Sequence, residues 1–147
     1  MITGLSHVSI AVPSLEQAAK KLREVYGLEV GAARVNEEQG VRLAYVELGN
    51  ARIELMEPAR PGSPLAKFLE RNPAGGLHHF CLEVEDVRAS AAGLAAKGVR
   101  VLGEGKASRN VHGRPIAFVH PKDFLGALVE LEESGSRIES QESKGKP

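Results

Sequence analysis

At 147 residues the chain fits one domain, or two small fused modules, and is long enough to bury roughly two-thirds of its unfolded surface. Nineteen Lys and Arg balance nineteen Asp and Glu, so no excess positive field argues for nucleic acid or an anionic membrane, and the expected partner is a small molecule. Cys81 is the one cysteine, which excludes an internal disulfide framework, and no apolar run approaches the ~20 residues that span a bilayer. Met1-Ile2-Thr3-Gly4 leads into a strand pattern without the apolar stretch of a secretory signal, so the expected compartment is the cytoplasm.

Polar and apolar residues alternate from His7 to Val12, which predicts a half-buried strand with His7, Ser9 and Ala11 on one face and Val8, Ile10 and Val12 on the other. A helix follows. Ser14 and Gln17 form a capping box, Leu15, Ala18, Ala19, Leu22 and Tyr26 recur at helical spacing, and Gly27 can end the helix in the left-handed conformation. Strands are then predicted at Leu28 to Ala33, Val41 to Leu48 and Ala51 to Met56, the last two joined by a Gly49-Asn50 turn. Ser63-Pro64 caps and starts a short amphipathic helix with Leu65, Phe68 and Leu69, which Asn72-Pro73-Ala74-Gly75-Gly76 ends.

From His79 the order recurs. His79 to Val84 repeats the His7 to Val12 strand at a constant offset of 72 positions. Asp86 is placed to cap a helix whose stripe is Val87, Ala91, Leu94 and Ala95 and whose stop is Gly98, and strands are predicted at Val99 to Leu102, Pro115 to Val119 and Ala127 to Glu132. The pattern is β-α-β-β-β written twice, with module 1 over about 4–58, a linker over about 59–76 and module 2 over about 77–133, one domain at 1–133. The expected fold class is α+β, two tandem modules forming a curved mixed sheet around a metal-containing cleft. Residues 134–147 carry one large apolar residue, Ile138, amid Ser, Glu, Lys and Gly, a composition that predicts a disordered tail.

Strand parity selects the chemistry. Val8, Ile10, Phe80 and Leu82 alternate with His7 and His79, Ile53 and Leu55 flank Glu54, and Val129 and Leu131 flank Glu130. If the apolar neighbours pack on the helices, both histidines and both glutamates turn to the opposite face, from the first and last strand of each module. Two carboxylates cancel the charge of a divalent ion, and four protein ligands leave two octahedral positions, enough to chelate a substrate through two oxygens. His78 has the other parity and reads as packing or as a support behind a ligand, His112 sits in a loop, His120 at a strand end, and Cys81 reads as wall.

With these residues in place the chain resembles the vicinal oxygen chelate superfamily, and over 4–133 its methylmalonyl-CoA epimerase branch. The stretches that carry the resemblance are His7-Val8-Ser9-Ile10-Ala11-Val12-Pro13, Ser63-Pro64-Leu65-Ala66-Lys67-Phe68-Leu69 and Gly75-Gly76-Leu77-His78-His79. The most specific are His112-Gly113-Arg114-Pro115 and the run from His120-Pro121-Lys122-Asp123 to Leu128-Val129-Glu130-Leu131. The resemblance implies an enzyme that interconverts (R)- and (S)-methylmalonyl-CoA by moving a proton at carbon 2 through an enolate. It makes His7, Glu54, His79 and Glu130 the ligands of a divalent ion, Co2+ first and then Mn2+, Ni2+, Zn2+ or Mg2+. It also implies an acyl-CoA substrate and a homodimer.

Glu130 is the expected acid/base on one face of the substrate. For the other face, Leu43 stands where the family leads us to expect a glutamate, so Glu54 is the symmetric candidate and Glu47 and Glu38 are weaker ones. Lys106, Arg109, Arg114 and Lys122 are candidate contacts for the CoA phosphates. Glyoxalase I resembles the chain with the same four ligands, but it tends to carry Asp-Pro-Asp-Gly where this chain reads His120-Pro121-Lys122-Asp123-Phe124-Leu125-Gly126. A metal-free resistance protein of this fold would lack the four ligands, and an iron-dependent ring-cleaving dioxygenase would need only two histidines and one carboxylate.

Overall fold

The computed structural model describes residues 1–102 and 108–134. Lys106 and the polar tail from residue 135 lie outside the described residues. The chain has a mixed α+β architecture and divides into two compact units, His7–His79 and Met1–Ser6 together with the chain from Phe80 onward.

The His7–His79 unit holds β1 (Ile2–Ala11) from His7 onward, then α1 (Leu15–Tyr26), β2 (Arg34–Asn36), β3 (Val41–Glu47), β4 (Arg52–Pro58) and α2 (Pro64–Arg71), and β5 (Gly76–Val84) begins there. The strand order is β2-β3-β4-β1, with β1 parallel to β4 and the other pairs antiparallel. Ser14 caps α1 by accepting the Gln17 amide at 3.2 Å, and Gly27, at φ 67°, ends it. The helix buries Leu15 and packs Ala18 and Leu22 on Ile10, Ala44, Ile53 and Leu55, which settles which face of β1, β3 and β4 is core. Tyr26, in the last turn, is exposed and not part of that stripe.

The unit from Phe80 repeats the scheme with α3 (Val87–Ala96), β6 (Val101–Leu102), β7 (Ser108–Arg109), β8 (Pro115–Val119), a 3-10 turn at Pro121–Asp123 and β9 (Val129–Glu133). Here β5 is parallel to β9, and β8 is antiparallel to β9, β6 and β7. Asp86 caps α3 through the Ala89 amide at 2.9 Å. Val87, Ala91 and Leu94 pack on Phe80, Val84, Ala117, Val129 and Leu131, whereas Ala95, at the edge of the helical stripe, is exposed.

The predicted strand at Leu28–Ala33 is not one; pairing starts at Arg34. The Leu28 amide is taken by Leu22 O at 3.0 Å, completing the end of α1, and the Gly31 amide bonds to Tyr45 O of β3 at 2.9 Å before the ladder begins. The strand predicted from Val99 is confined to Val101–Leu102, and β7 was not foreseen.

Candidate metal centre

The core contacts of α1 turn the alternate residues of β1, β3 and β4 the other way. His7, Ser9 and Ala11 share that face with Arg52, Glu54 and Met56 and with Leu43, Tyr45 and Glu47, because Ser9 registers with Glu54 and Tyr45 with Glu54 across the two ladders. His7, Glu54 and His79 gather there, each about 95% buried or more, with ligand-type atoms all within 4.8 Å of one another. His7 Nε2 faces Glu54 Oε2 at 3.8 Å, beyond hydrogen-bonding reach, so two buried polar atoms look at each other across a gap. Two imidazoles and a carboxylate so placed suit a divalent ion of borderline hardness. The residues present therefore fit such an ion.

His79 arrives at this face because the chain enters β5 through Gly75, whose φ is 90°. A Cβ there would lie 2.6 Å from the Ala11 carbonyl oxygen, so only glycine lets the chain pass this close to β1. His79 Nε2 then lies 3.0 Å from Ser9 Oγ, and its Nδ1 lies 2.7 Å from His78 Nδ1. His78 is half-buried, edge-on to Phe68 of α2 at 5.0 Å between centroids, and stands behind His79 as the parity reading allowed.

Three further residues of this face were given no role in the sequence. Ser9 donates to Glu54 Oε1 at 2.8 Å. Tyr45 sets its ring edge-on to His7, 6.0 Å between centroids, and the guanidinium of Arg52, 1% exposed, lies 4.5 Å from the Tyr45 centroid. Parity gave the signal for two of them: Ser9 stands two residues from His7 and Arg52 two from Glu54, whereas Tyr45 joins the face through its register with Glu54.

Glu130 belongs to the unit from Phe80 onward. It is 5% exposed on β9, in register with Cys81 and Phe118, while its neighbours Val129 and Leu131 pack in the α3 core. Glu130 therefore faces away from α3. Glu132, two residues on, is buried on the same side and hydrogen-bonded by Ser6. A cavity of about 410 Å³ opens on the α3 side of this unit, lined by Ile2, Val84, Ala89, Gly93 and Leu94, and among the described residues no histidine or cysteine lines it.

Of the weaker acid/base candidates, Glu38 is exposed in the turn before β3, and Glu47, half-buried at the end of β3, is in register with Arg52 rather than Glu54. Leu43 is 4% exposed and in register with Met56, an apolar wall where an acid was expected. Arg109 donates to the Gly113 carbonyl, and Asn110 Oδ1 accepts the His112 and Arg114 amides at 2.9 and 3.0 Å. His120 Nδ1 accepts the Lys122 amide at 3.1 Å, leaving the Lys122 side chain exposed.

Residues 6–118 match the model of the glyoxalase, bleomycin resistance protein and dioxygenase superfamily. Over 133 residues, 90% of this chain and 99% of the relative, the sequence is 52% identical to the ethylmalonyl-CoA/methylmalonyl-CoA epimerase of Cereibacter sphaeroides. The chain belongs to the methylmalonyl-CoA epimerase family. Among solved structures, a variant of the Streptomyces coelicolor methylmalonyl-CoA epimerase in complex with 2-nitronate-propionyl-CoA superposes with a TM-score of 0.84 at 39% identity, covering 92% of this chain and 97% of that one. A methylmalonyl-CoA epimerase in complex with methylmalonyl-CoA and NH4+ superposes at 0.83 with the same identity and coverage. The fold is thus the glyoxalase-like one that the epimerase family uses, and the chain is an enzyme of that family. No helix among the described residues is long and apolar enough to cross a membrane.

Proposed function

We propose that the chain interconverts (R)- and (S)-methylmalonyl-CoA, with a divalent ion, Co2+ first among the candidates, held by His7, Glu54, His79 and Glu130. The observation that carries this reading is the buried gathering of His7, Glu54 and His79 within 4.8 Å, in a chain of the epimerase family. The relative from C. sphaeroides is named for ethylmalonyl-CoA as well, so the proposed substrate class is 2-alkylmalonyl thioesters of CoA. The reading includes a cytoplasmic homodimer.

Carbon 2 of such a substrate lies between a thioester carbonyl and a carboxylate, and losing its proton leaves negative charge on the thioester oxygen. A bound divalent ion supplies Lewis-acid stabilisation of that charge, worth several kcal/mol. The chain supplies the proton traffic. Glu130, buried and facing away from the α3 core, takes and returns the proton on one face. Glu54 serves the other, since Leu43 has no acid to offer and Glu38 is exposed. Each general acid/base contributes on the order of 10²–10⁴-fold. Burial of His7, Glu54, His79 and Glu130 keeps solvent from competing for the carbon 2 proton and strengthens every charge interaction at the site.

The test is exchange of the carbon 2 proton of methylmalonyl-CoA in heavy water, followed by NMR with and without chelator, beside a glyoxalase assay with the hemithioacetal of methylglyoxal and glutathione. Exchange that stops with chelator and returns with Co2+ is expected. Absence of metal-dependent exchange, or turnover of the hemithioacetal alone, overturns the reading.

A further inference from the structure

Glu54 carries two oxygens, and the structure treats them differently. Oε1 accepts a hydrogen bond from Ser9 Oγ at 2.8 Å, while Oε2 faces His7 Nε2 at 3.8 Å. Ser9 itself is 0% exposed. Its hydroxyl has one proton, which goes to the carboxylate, and His79 Nε2 lies 3.0 Å from the same oxygen. The placement matters because a serine on a strand has three staggered positions for its hydroxyl, and the one adopted here reaches Glu54.

We infer that Ser9 is a positioning residue for Glu54: it engages one lone pair of Oε1 and so presents Oε2 as the ligand oxygen, aimed at His7 before any ion arrives, with the second lone pair of Oε1 left for the carbon 2 proton. This rests on the proposed metal centre and adds to it a residue that touches neither ion nor substrate. A free glutamate swings about its terminal torsion and can offer both oxygens to an ion. Glu54 is denied both freedoms by a neighbour two positions from His7 on β1. The register that pairs Ser9 with Glu54 across β1 and β4 makes the arrangement a property of the sheet rather than of a loop. Groups that orient a metal ligand in this way typically change metal affinity 10- to 100-fold when lost.

The test is Co2+ affinity of the purified full chain, measured by competition with a chromogenic chelator, in Ser9→Ala, Glu54→Ala and the double variant, with circular dichroism of each chain to establish folding. Ser9→Ala removes one oxygen from a buried site and leaves the strand intact. The expected result is a 10- to 100-fold loss of affinity from Ser9→Ala in the parent background, and less than about twofold in the Glu54→Ala background. A packing role would give the same loss in both backgrounds. Equal losses, or a parent-background loss below about twofold, overturn the inference while leaving the metal centre standing. A parent chain that takes up no Co2+ overturns both.

Discussion

Glu130 and Glu54 are chemically alike and differ in surroundings, which is where single-residue predictions have content. Glu130 sits on β9 in register with Cys81 and Phe118, whereas Glu54 has Ser9 on one oxygen and His7 beside the other. Replacing Glu130 by Gln keeps size and hydrogen-bonding capacity but removes the basic oxygen, so epimerisation is expected to fall about 10²–10⁴-fold with the fold retained. Glu54→Gln is expected to abolish carbon 2 exchange from one enantiomer and to spare more of it from the other. NMR exchange from each enantiomer separately reads both outcomes. A Glu130→Gln chain that turns over at the parent rate removes the role assigned to that residue, and equal exchange from both enantiomers in Glu54→Gln removes the other.

At the scale of elements, the tie between the start of β6 and the turn after β8 has a defined pH signature. The Arg100 guanidinium and backbone amide both donate to Asp123, at 2.8 Å each to Oδ2, with a third bond to Oδ1 at 3.1 Å. These bonds, the side-chain one first, hold the Asp123 carboxyl down to about 2. A carboxyl held below its unfolded value of ~3.9 contributes stability above that value and loses it as pH falls towards the folded one. The difference in unfolding free energy between the parent and Asp123→Asn should therefore be flat from neutral pH to about 5 and shrink between about 4 and 2. Urea titrations across that range read it, and a difference that does not change with pH would show that the pair carries no such linkage. Neither partner of this tie was legible as a pair in sequence, because 23 positions separate them and nothing periodic links a pre-strand arginine to a turn aspartate. What was legible was periodic. Alternation placed His7 and Glu54 on the face away from α1, and capping residues fixed both ends of α1. Alternation does not reveal which residues find partners, so β2 lies past the stretch that looked like a strand, and β7 depends on its pairing with β8. Ser9 escaped for a related reason. Its role needs Glu54 and His79 beside it, 45 and 70 positions away.

At the scale of the molecule, the proposed ligands come from residue 7 to residue 130, so an ion that requires all four would bind the folded chain and not the unfolded one. Such an ion adds stability by mass action, about 2.7 kcal/mol when its free concentration is 100 times its dissociation constant. For a chain of this length that corresponds to a rise in Tm of roughly 5–10 °C. At one Co2+ concentration, thermal unfolding with Co2+ and with excess chelator should differ by that margin in the parent and by far less in His7→Ala, Glu54→Ala or His79→Ala, each of which keeps a weaker, measurable affinity. Glu130→Ala decides how the site is completed. His7, Glu54 and His79 lie in one compact unit and Glu130 in the other, so a Glu130→Ala chain that keeps the full metal-dependent rise would mean the ion is held by the first three alone. Loss of the rise in all four variants is the outcome expected of a centre to which both copies of the β-α-β-β-β pattern contribute. Neither module could then bind the ion without the other.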